Sequence, residues 1–304
     1  MSAYEGHNGL PQNDDWQALY PFRSNVLTVG GLRYHYVDEG EGPPLLMVHG
    51  NPTWSFYWRE LIKGFRGQCR VVAPDHIGCG LSEKPAGNEY PFTLARRIDD
   101  LSAMIQSLDL HGITLVAHDW GGAIGLGAAV AMPQRFARLV LLNTAAFPSP
   151  RCPWRIRVCR TPLLGPLAVQ GLNLFARTAL RMALHRPERL SRAARSGLLA
   201  PYDSWRHRTA VYRFVRDIPL KPSHPSYATL TGIEARLNRL GDLPTLLIWG
   251  MRDWCFTPHF LDKFCEFFPA ARVVRIDDAG HYVVEEAADR ILAHLRDFLG
   301  PCEP

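Results

Sequence analysis

The reading of the chain turns on Ile113-Thr114-Leu115-Val116-Ala117-His118-Asp119-Trp120-Gly121-Gly122 and the small-residue run Ala123 to Ala131 that follows it. Four apolar or β-branched residues in succession make a buried strand. Gly121 and Gly122 permit a tight turn, and the Ala/Gly-rich run packs closely enough to be the helix beneath it. The small residues two before and two after Asp119, Ala117 and Gly121, have the spacing of a nucleophile elbow, which holds its apex residue out at the carboxyl edge of a sheet. Here the apex is aspartate instead of serine. A carboxylate in that place implies attack by an ionised oxygen on an electrophilic carbon, not the usual serine acyl transfer. The plainer reading of Asp119 is a helix N-cap.

Outward from the elbow, apolar strands alternate with helices. Asn25–Val29 and Leu32–Val37 form a hairpin about Gly30-Gly31, and Leu45–His49 and Cys69–Ala73 are strands separated by a helix over Trp54–Phe65. A helix over Phe92–Leu108 takes Thr93 as its N-cap, and Phe136–Thr144 is another apolar strand. The alternation resumes with strand Thr245–Gly250, a helix about Phe260–Phe267, strand Arg272–Asp277 and a closing helix Glu285–Leu299. Such a pattern predicts an α/β fold with a largely parallel sheet covered on both faces. From Phe147 to about Leu240 there is no strand signal, so 147–240 is expected to be a helical cap inserted into a core made of 1–146 and 241–304.

Composition bounds the function. The 304 residues are 47% hydrophobic with a formal charge of +5, and no run approaches 18 apolar residues. The first twenty residues are polar and acidic, without the pattern of a secretory signal, so a cytoplasmic protein is expected. Seven cysteines, at 69, 79, 152, 159, 255, 265 and 302, show no metal-binding spacing. Reduced thiols, no metal and no cofactor are expected. Ser149 to Ala235 holds 15 Lys or Arg against 4 Asp or Glu, near +11, which leaves the remainder near −6. This basic cap reads as a solvated face, or as a docking surface for acidic proteins, a membrane surface of anionic lipid, or a substrate with a leaving carboxylate. It lacks the aromatic and basic interleaving of a nucleic-acid module.

In an open sheet of this kind ligands bind beyond the carboxyl ends of the strands, so the loops there carry the chemistry. His49-Gly50-Asn51-Pro52 follows one strand. There Asn51 contributes a side-chain amide and Trp120 an indole N–H, two donors suited to a leaving group that departs as an anion. Asp253, in Trp249-Gly250-Met251-Arg252-Asp253, and His281, in Asp277-Asp278-Ala279-Gly280-His281, follow two further strands. His281 is the candidate base and Asp253 the acid that fixes it, with Asp277 or Asp278 as the alternative acid. Pro74-Asp75-His76-Ile77-Gly78-Cys79-Gly80-Leu81-Ser82 lacks the spacing of a phosphate loop and reads as a structural loop.

Together, His-Gly-Asn-Pro, Pro-Asp-His-Ile-Gly-x-Gly-x-Ser, His-Asp-Trp-Gly-Gly and Gly-x-x-Asp followed by Gly-His resemble the α/β-hydrolase superfamily over roughly residues 25–300, and within it the haloalkane dehalogenases. The resemblance implies a mostly parallel eight-stranded sheet flanked by helices, with catalytic Asp119, Asp253 and His281 and an anion-holding pair, Asn51 and Trp120. Leu142-Asn143-Thr144-Ala145-Ala146-Phe147-Pro148, Ala200-Pro201-Tyr202-Asp203, Asp217-Ile218-Pro219-Leu220 and Asp277-Asp278-Ala279-Gly280-His281-Tyr282 look like the β-lactone decarboxylases of bacterial long-chain olefin biosynthesis. That likeness implies conversion of a cis-3,4-dialkyl-2-oxetanone to a cis-alkene and CO2. It also implies assembly with a β-lactone synthetase and an NADPH-dependent, alcohol-forming reductase.

Haloalkane hydrolysis uses the same five side chains and stays open as the alternative. An epoxide hydrolase is less favoured, because Asn51 stands where an aromatic residue would follow His49-Gly50. A non-catalytic ligand-binding protein of this fold is disfavoured, because no catalytic member is missing. Phe147, Tyr202 and Phe214 are the candidate substrate-binding residues. Leu163, Leu164, Leu167, Leu172, Leu174, Phe175, Leu198, Leu199 and Val211 line an alkyl groove or form the cap's own core.

Overall fold

The computed structural model describes residues 15–300. The first fourteen residues, with most of the polar leader segment, and Cys302 lie outside them. One eight-stranded sheet has the order β1-β2-β4-β3-β5-β6-β7-β8. Its strands are β1 (Ser24–Val29), β2 (Leu32–Glu39), β3 (Pro44–Val48), β4 (Arg70–Pro74), β5 (Ile113–Asp119), β6 (Phe136–Thr144), β7 (Thr245–Gly250) and β8 (Arg272–Ile276). The hairpin β1-β2 and the β2-β4 pair are antiparallel, and every pairing from β4 through β8 is parallel. All residues of β5 and β7 are buried, as the unbroken apolar runs require of strands covered on both faces.

Helices α1 (Arg59–Phe65), α2 (Leu94–Ser107) and α3 (Trp120–Ala131) belong to the first half of the core. The helix expected over Trp54–Phe65 is divided: Ser55–Trp58 is a 3-10 turn and α1 starts only at Arg59. The Ser55 N–H is taken by the Asp75 carboxylate (2.7 Å), an acceptor from another loop that no local pattern announces. Thr93 caps α2 by accepting from the Arg96 N–H.

Between Thr144 and Thr245 the described elements are all helical: α4 (Trp154–Cys159), α5 (Leu164–Pro166), α6 (Leu174–Met182), α7 (Arg192–Leu199), α8 (Thr209–Asp217) and α9 (Tyr227–Glu234), with short turns between them. α8 is locked down at its end. Asp217 faces the buried Arg97 guanidinium of α2 (3.4 Å) and accepts from the Ser226 hydroxyl (2.6 Å). The chain closes with α10 (Pro258–Phe267) and α11 (Val283–Leu299).

The Pro74–Ser82 loop is tied by its own carboxylate. Asp75 accepts from the Ser55 and Leu81 backbone N–H groups and meets the His35 ring nitrogen at 2.8 Å. Burial pushes this carboxyl upward, but His35, His49 and the N–H donors outweigh it and hold it at about 2. The folded value lies below the unfolded one, so the contribution is full above the unfolded pKa and is lost as pH falls through the folded one. Asp75→Asn should therefore cost on the order of 2 kcal/mol at neutral pH and progressively less below about pH 4, read from urea melts across that range. An equal cost at pH 7 and pH 2.5 would overturn this account.

Candidate active site

At the end of β5 the backbone passes from strand to helix across a single peptide. Asp119 lies there at φ +54° and ψ −128°, a conformation that costs a residue with a side chain about 1–3 kcal/mol. The surroundings leave the chain no other course. A Cβ on Gly121 would stand 2.0 Å from the Val48 carbonyl oxygen, and one on Gly122 would stand 1.9 Å from Thr144 Oγ1. The Thr144 hydroxyl donates to the Asp119 carbonyl. The small residues flanking the apex are thus required by the close approach of α3 to β3 and β6.

The Asp119 side chain makes no N-cap bond to its helix. Its Oδ1 instead accepts from the Asn51 backbone N–H at 2.6 Å, and the Trp120 backbone N–H also donates to the carboxylate. Gly50 makes room, because a Cβ there would lie 2.0 Å from Oδ1. The loop is fixed from behind. His49 Nδ1 donates to the Gly50 carbonyl (2.7 Å), while its Nε2 accepts from the His76 backbone N–H (3.0 Å).

Asp119 Oδ2 faces His281 Nε2 at 3.6 Å, and His281 Nδ1 lies 2.8 Å from Asp253 Oδ2. An ionised carboxylate only accepts, so Nδ1 bears the proton and Nε2 is the nitrogen turned toward the nucleophile. Asp253 is itself held by the Cys255 backbone N–H (2.6 Å) and the Asn143 side-chain amide (3.0 Å). The alternative acids lie away from His281 Nδ1, which Asp253 occupies. Asp278 pairs with Arg186 and Arg290 at the surface, and Asp277 is exposed to solvent.

Burial disfavours charge on His281, but the facing carboxylates of Asp253 and Asp119 prevail and raise its pKa above the ordinary imidazole value. Burial also raises Asp119, only partly opposed by His281 and the two N–H donors. The neighbouring His118 is driven far below its usual pKa by burial and by His281, and as a neutral ring it donates from Nε2 to the His281 carbonyl (2.8 Å).

A cavity of about 860 Å³, counting the part open to solvent, extends from Asn51, Asp119 and Trp120 toward the cap. Its wall is mostly apolar, with Phe147, Ile156, Phe175, Leu230, Phe256 and Phe260 prominent. The Asn51 amide donates to the Val211 carbonyl of α8 at 3.2 Å and keeps a second N–H. The Trp120 indole N–H has no protein acceptor among the described residues, so it is available to a ligand in the cavity.

Of the three substrate-binding candidates, the structure brings Phe147 to this cavity and withholds the other two. Tyr202 is buried behind it, its hydroxyl donating to the Thr53 carbonyl (3.2 Å). Phe214 lies under the Trp120 indole (5.4 Å between centroids) with the Arg97 guanidinium 3.6 Å from its ring, so it supports a wall residue without being one. The leucine groove is corrected similarly. Of its proposed lining only Phe175 reaches the cavity, and Leu163, Leu164, Leu167, Leu172 and Leu174 face solvent.

Asn143 is the residue that pattern reading passed over. It is the penultimate residue of β6, has φ +29°, donates to the Gly250 carbonyl and to Asp253, and accepts the Gly250 N–H. Its place at the carboxyl end of a parallel strand was the available signal. Phe256, stacked on His281 at 5.5 Å, had none.

Comparison with known proteins agrees with this fold. A family model described as alpha/beta hydrolase fold matches residues 43–288. The chain is 44% identical over 289 residues to a cis-3-alkyl-4-alkyloxetan-2-one decarboxylase of Shewanella oneidensis, covering 94% of this chain and 91% of that protein. The chain belongs to the α/β-hydrolase fold family. Within it, haloalkane dehalogenase 2 of Mycobacterium tuberculosis is 35% identical over 291 residues, 93% of this chain and 96% of that one. The crystal structure of the haloalkane dehalogenase DbeA from Bradyrhizobium elkani superposes with a TM-score of 0.83 at 26% identity, over 91% of this chain and 97% of that chain. This α/β-hydrolase chain thus stands nearer in sequence to the decarboxylase than to these two dehalogenases.

Proposed function

We propose that the chain is a β-lactone decarboxylase that converts cis-3,4-dialkyl-2-oxetanones to cis-alkenes and CO2. The observation that carries this reading is the 44% identity to the Shewanella decarboxylase across nearly the whole chain, against 35% to the mycobacterial dehalogenase. The catalytic group is Asp119, His281 and Asp253, with Asn51 and Trp120 as anion holders.

Asp119 Oδ2 attacks the alkyl carbon C4 of the lactone, and the ring C4–O bond breaks. The freed carboxylate, still attached at C3, is received by the Asn51 and Trp120 side-chain N–H donors, each such donor being commonly worth about 3 kcal/mol. The C3–carboxylate bond then breaks, its electron pair forms the C3–C4 double bond, and the C4–O bond to Asp119 breaks to return the nucleophile. The charges and atoms close without water, and no proton is transferred. Inversion at C4 followed by anti elimination turns a cis lactone into a cis alkene. Imidazolium His281, steadied by Asp253, keeps Asp119 ionised between turnovers. No resident cofactor is needed for these steps.

The deciding assay offers purified protein a cis-dialkyl β-lactone and, separately, 1-bromohexane. Alkene plus CO2 from the lactone is the expected result, and rapid bromide release with an inert lactone would overturn the reading in favour of a dehalogenase. The resemblance to olefin-forming decarboxylases further supports a cytoplasmic role beside a β-lactone synthetase and an NADPH-dependent reductase. Co-purification of tagged protein with such enzymes from a native lysate tests that placement.

A further inference from the structure

Nine large hydrophobic residues are exposed among the described residues, and eight of them are in the cap. Seven fall within one continuous stretch, Trp154, Val158, Leu163, Leu164, Leu167, Leu172 and Leu174, with Leu163 86% and Trp154 68% exposed. The eighth, Trp205, joins them in space, because Gly171 lies between the Leu167 side chain and the Trp205 ring. The charge around this patch is predominantly positive, with exposed Asp203 beside Leu172 as an acidic exception. From Trp120 to Pro187 the sequence contains nine arginines and no Asp, Glu or Lys. Arg151, Arg155, Arg157, Arg177 and Arg181 are exposed, and Arg155 lies 5.3 Å from the Trp154 ring centroid.

The same stretch also walls the cavity. Cys152, Pro153, Ile156 and Phe175 line it, so α4 turns Ile156 inward and Trp154 and Val158 outward. Whatever covers the outer face stands one helix away from the site.

We propose that this face docks on an anionic lipid bilayer. Leucines and tryptophans ringed by arginine, with Asp203 beside Leu172 as an acidic residue whose carboxylate is met by the His207 ring at 2.6 Å, have the make-up of a surface that sinks its apolar side chains into the headgroup boundary while its cations meet anionic headgroups. A second copy of the chain is the poorer occupant, since a symmetric contact sets the same arginines against each other. No described helix is long and apolar enough to cross a membrane, which leaves attachment to one leaflet. An apolar ligand then passes from the acyl region past α4 to Asp119. The docking itself does not depend on which reaction the cavity performs.

Vesicle flotation tests it, using the full chain with vesicles of equal phosphatidylglycerol and phosphatidylcholine and with vesicles of phosphatidylcholine alone. The protein should float with the anionic vesicles at low salt and be released by high salt. The variants Leu163→Asp/Leu167→Asp and Arg155→Glu/Arg177→Glu should each bind at least ~10-fold more weakly, with Tm unchanged because these side chains are exposed. Failure to float, equal flotation with neutral vesicles, or flotation undiminished in both variants would each overturn the proposal. So would self-association, seen by sedimentation velocity, that Leu163→Asp/Leu167→Asp dissolves while vesicles capture nothing.

Discussion

Asp119→Asn should lower turnover of lactone and of haloalkane alike by at least ~10⁴-fold while leaving the fold intact, because removing a nucleophile abolishes the covalent route and leaves only positioning. The carboxamide has the volume of the carboxylate but no lone pair able to displace a ring oxygen or a halide. Stability moves the other way or not at all. The native residue is a buried carboxylate whose pKa burial has raised, and asparagine keeps its shape while removing the buried charge, the φ +54°, ψ −128° backbone costing both residues alike. Thermal unfolding should give a Tm equal to the parent's or above it. An active Asp119→Asn enzyme, in the absence of spontaneous deamidation checked by mass spectrometry, would remove every reading in which this side chain attacks carbon.

That prediction was readable from the sequence because the elbow is a local device. Its parts lie within five residues, and the glycines at 121 and 122 are demanded by the Val48 backbone and the Thr144 side chain of neighbouring strands. The same holds for β6 and β7, whose bounds match the predicted spans, whereas β5 runs past its four-residue apolar run to Asp119. Legibility failed where a residue's role is set by a partner far along the chain. Asn143 positions Asp253 across 110 residues, and its place near the end of a strand marks it as a site residue without naming that partner. Tyr202 and Phe214 had the composition of wall residues, yet Thr53 and Arg97 draw them into the packing behind the wall. Leucines at 163–174 were ambiguous for a deeper reason. Exposure of an apolar side chain breaks the rule by which the core is read from sequence, so a groove or an interior was the natural inference, and only the folded chain shows a surface.

His281→Gln separates the two chemistries that one set of side chains could perform. Hydrolysis of an alkyl ester on Asp119 requires a base to take a proton from water, so with 1-bromohexane the variant should lose about 10²–10⁴-fold in turnover and accumulate an alkylated enzyme detectable by intact mass. The lactone route consumes no water, because the departing CO2 itself expels Asp119. Lactone decarboxylation should therefore fall by less than ~10-fold, the loss of a neighbouring charge and not of a base. The pH profiles of the parent enzyme follow the same division. Haloalkane hydrolysis needs neutral His281, whose pKa Asp253 and Asp119 hold above the ordinary imidazole value against the effect of burial, so its rate rises with pH through that raised value. Decarboxylation needs only ionised Asp119 and should persist below it, failing as pH falls through the Asp119 pKa, itself raised by burial. Equal losses on both substrates, or one shared pH profile, would mean that His281 moves a proton in the lactone reaction as well, and attack at the alkyl carbon with direct expulsion of CO2 would have to be abandoned.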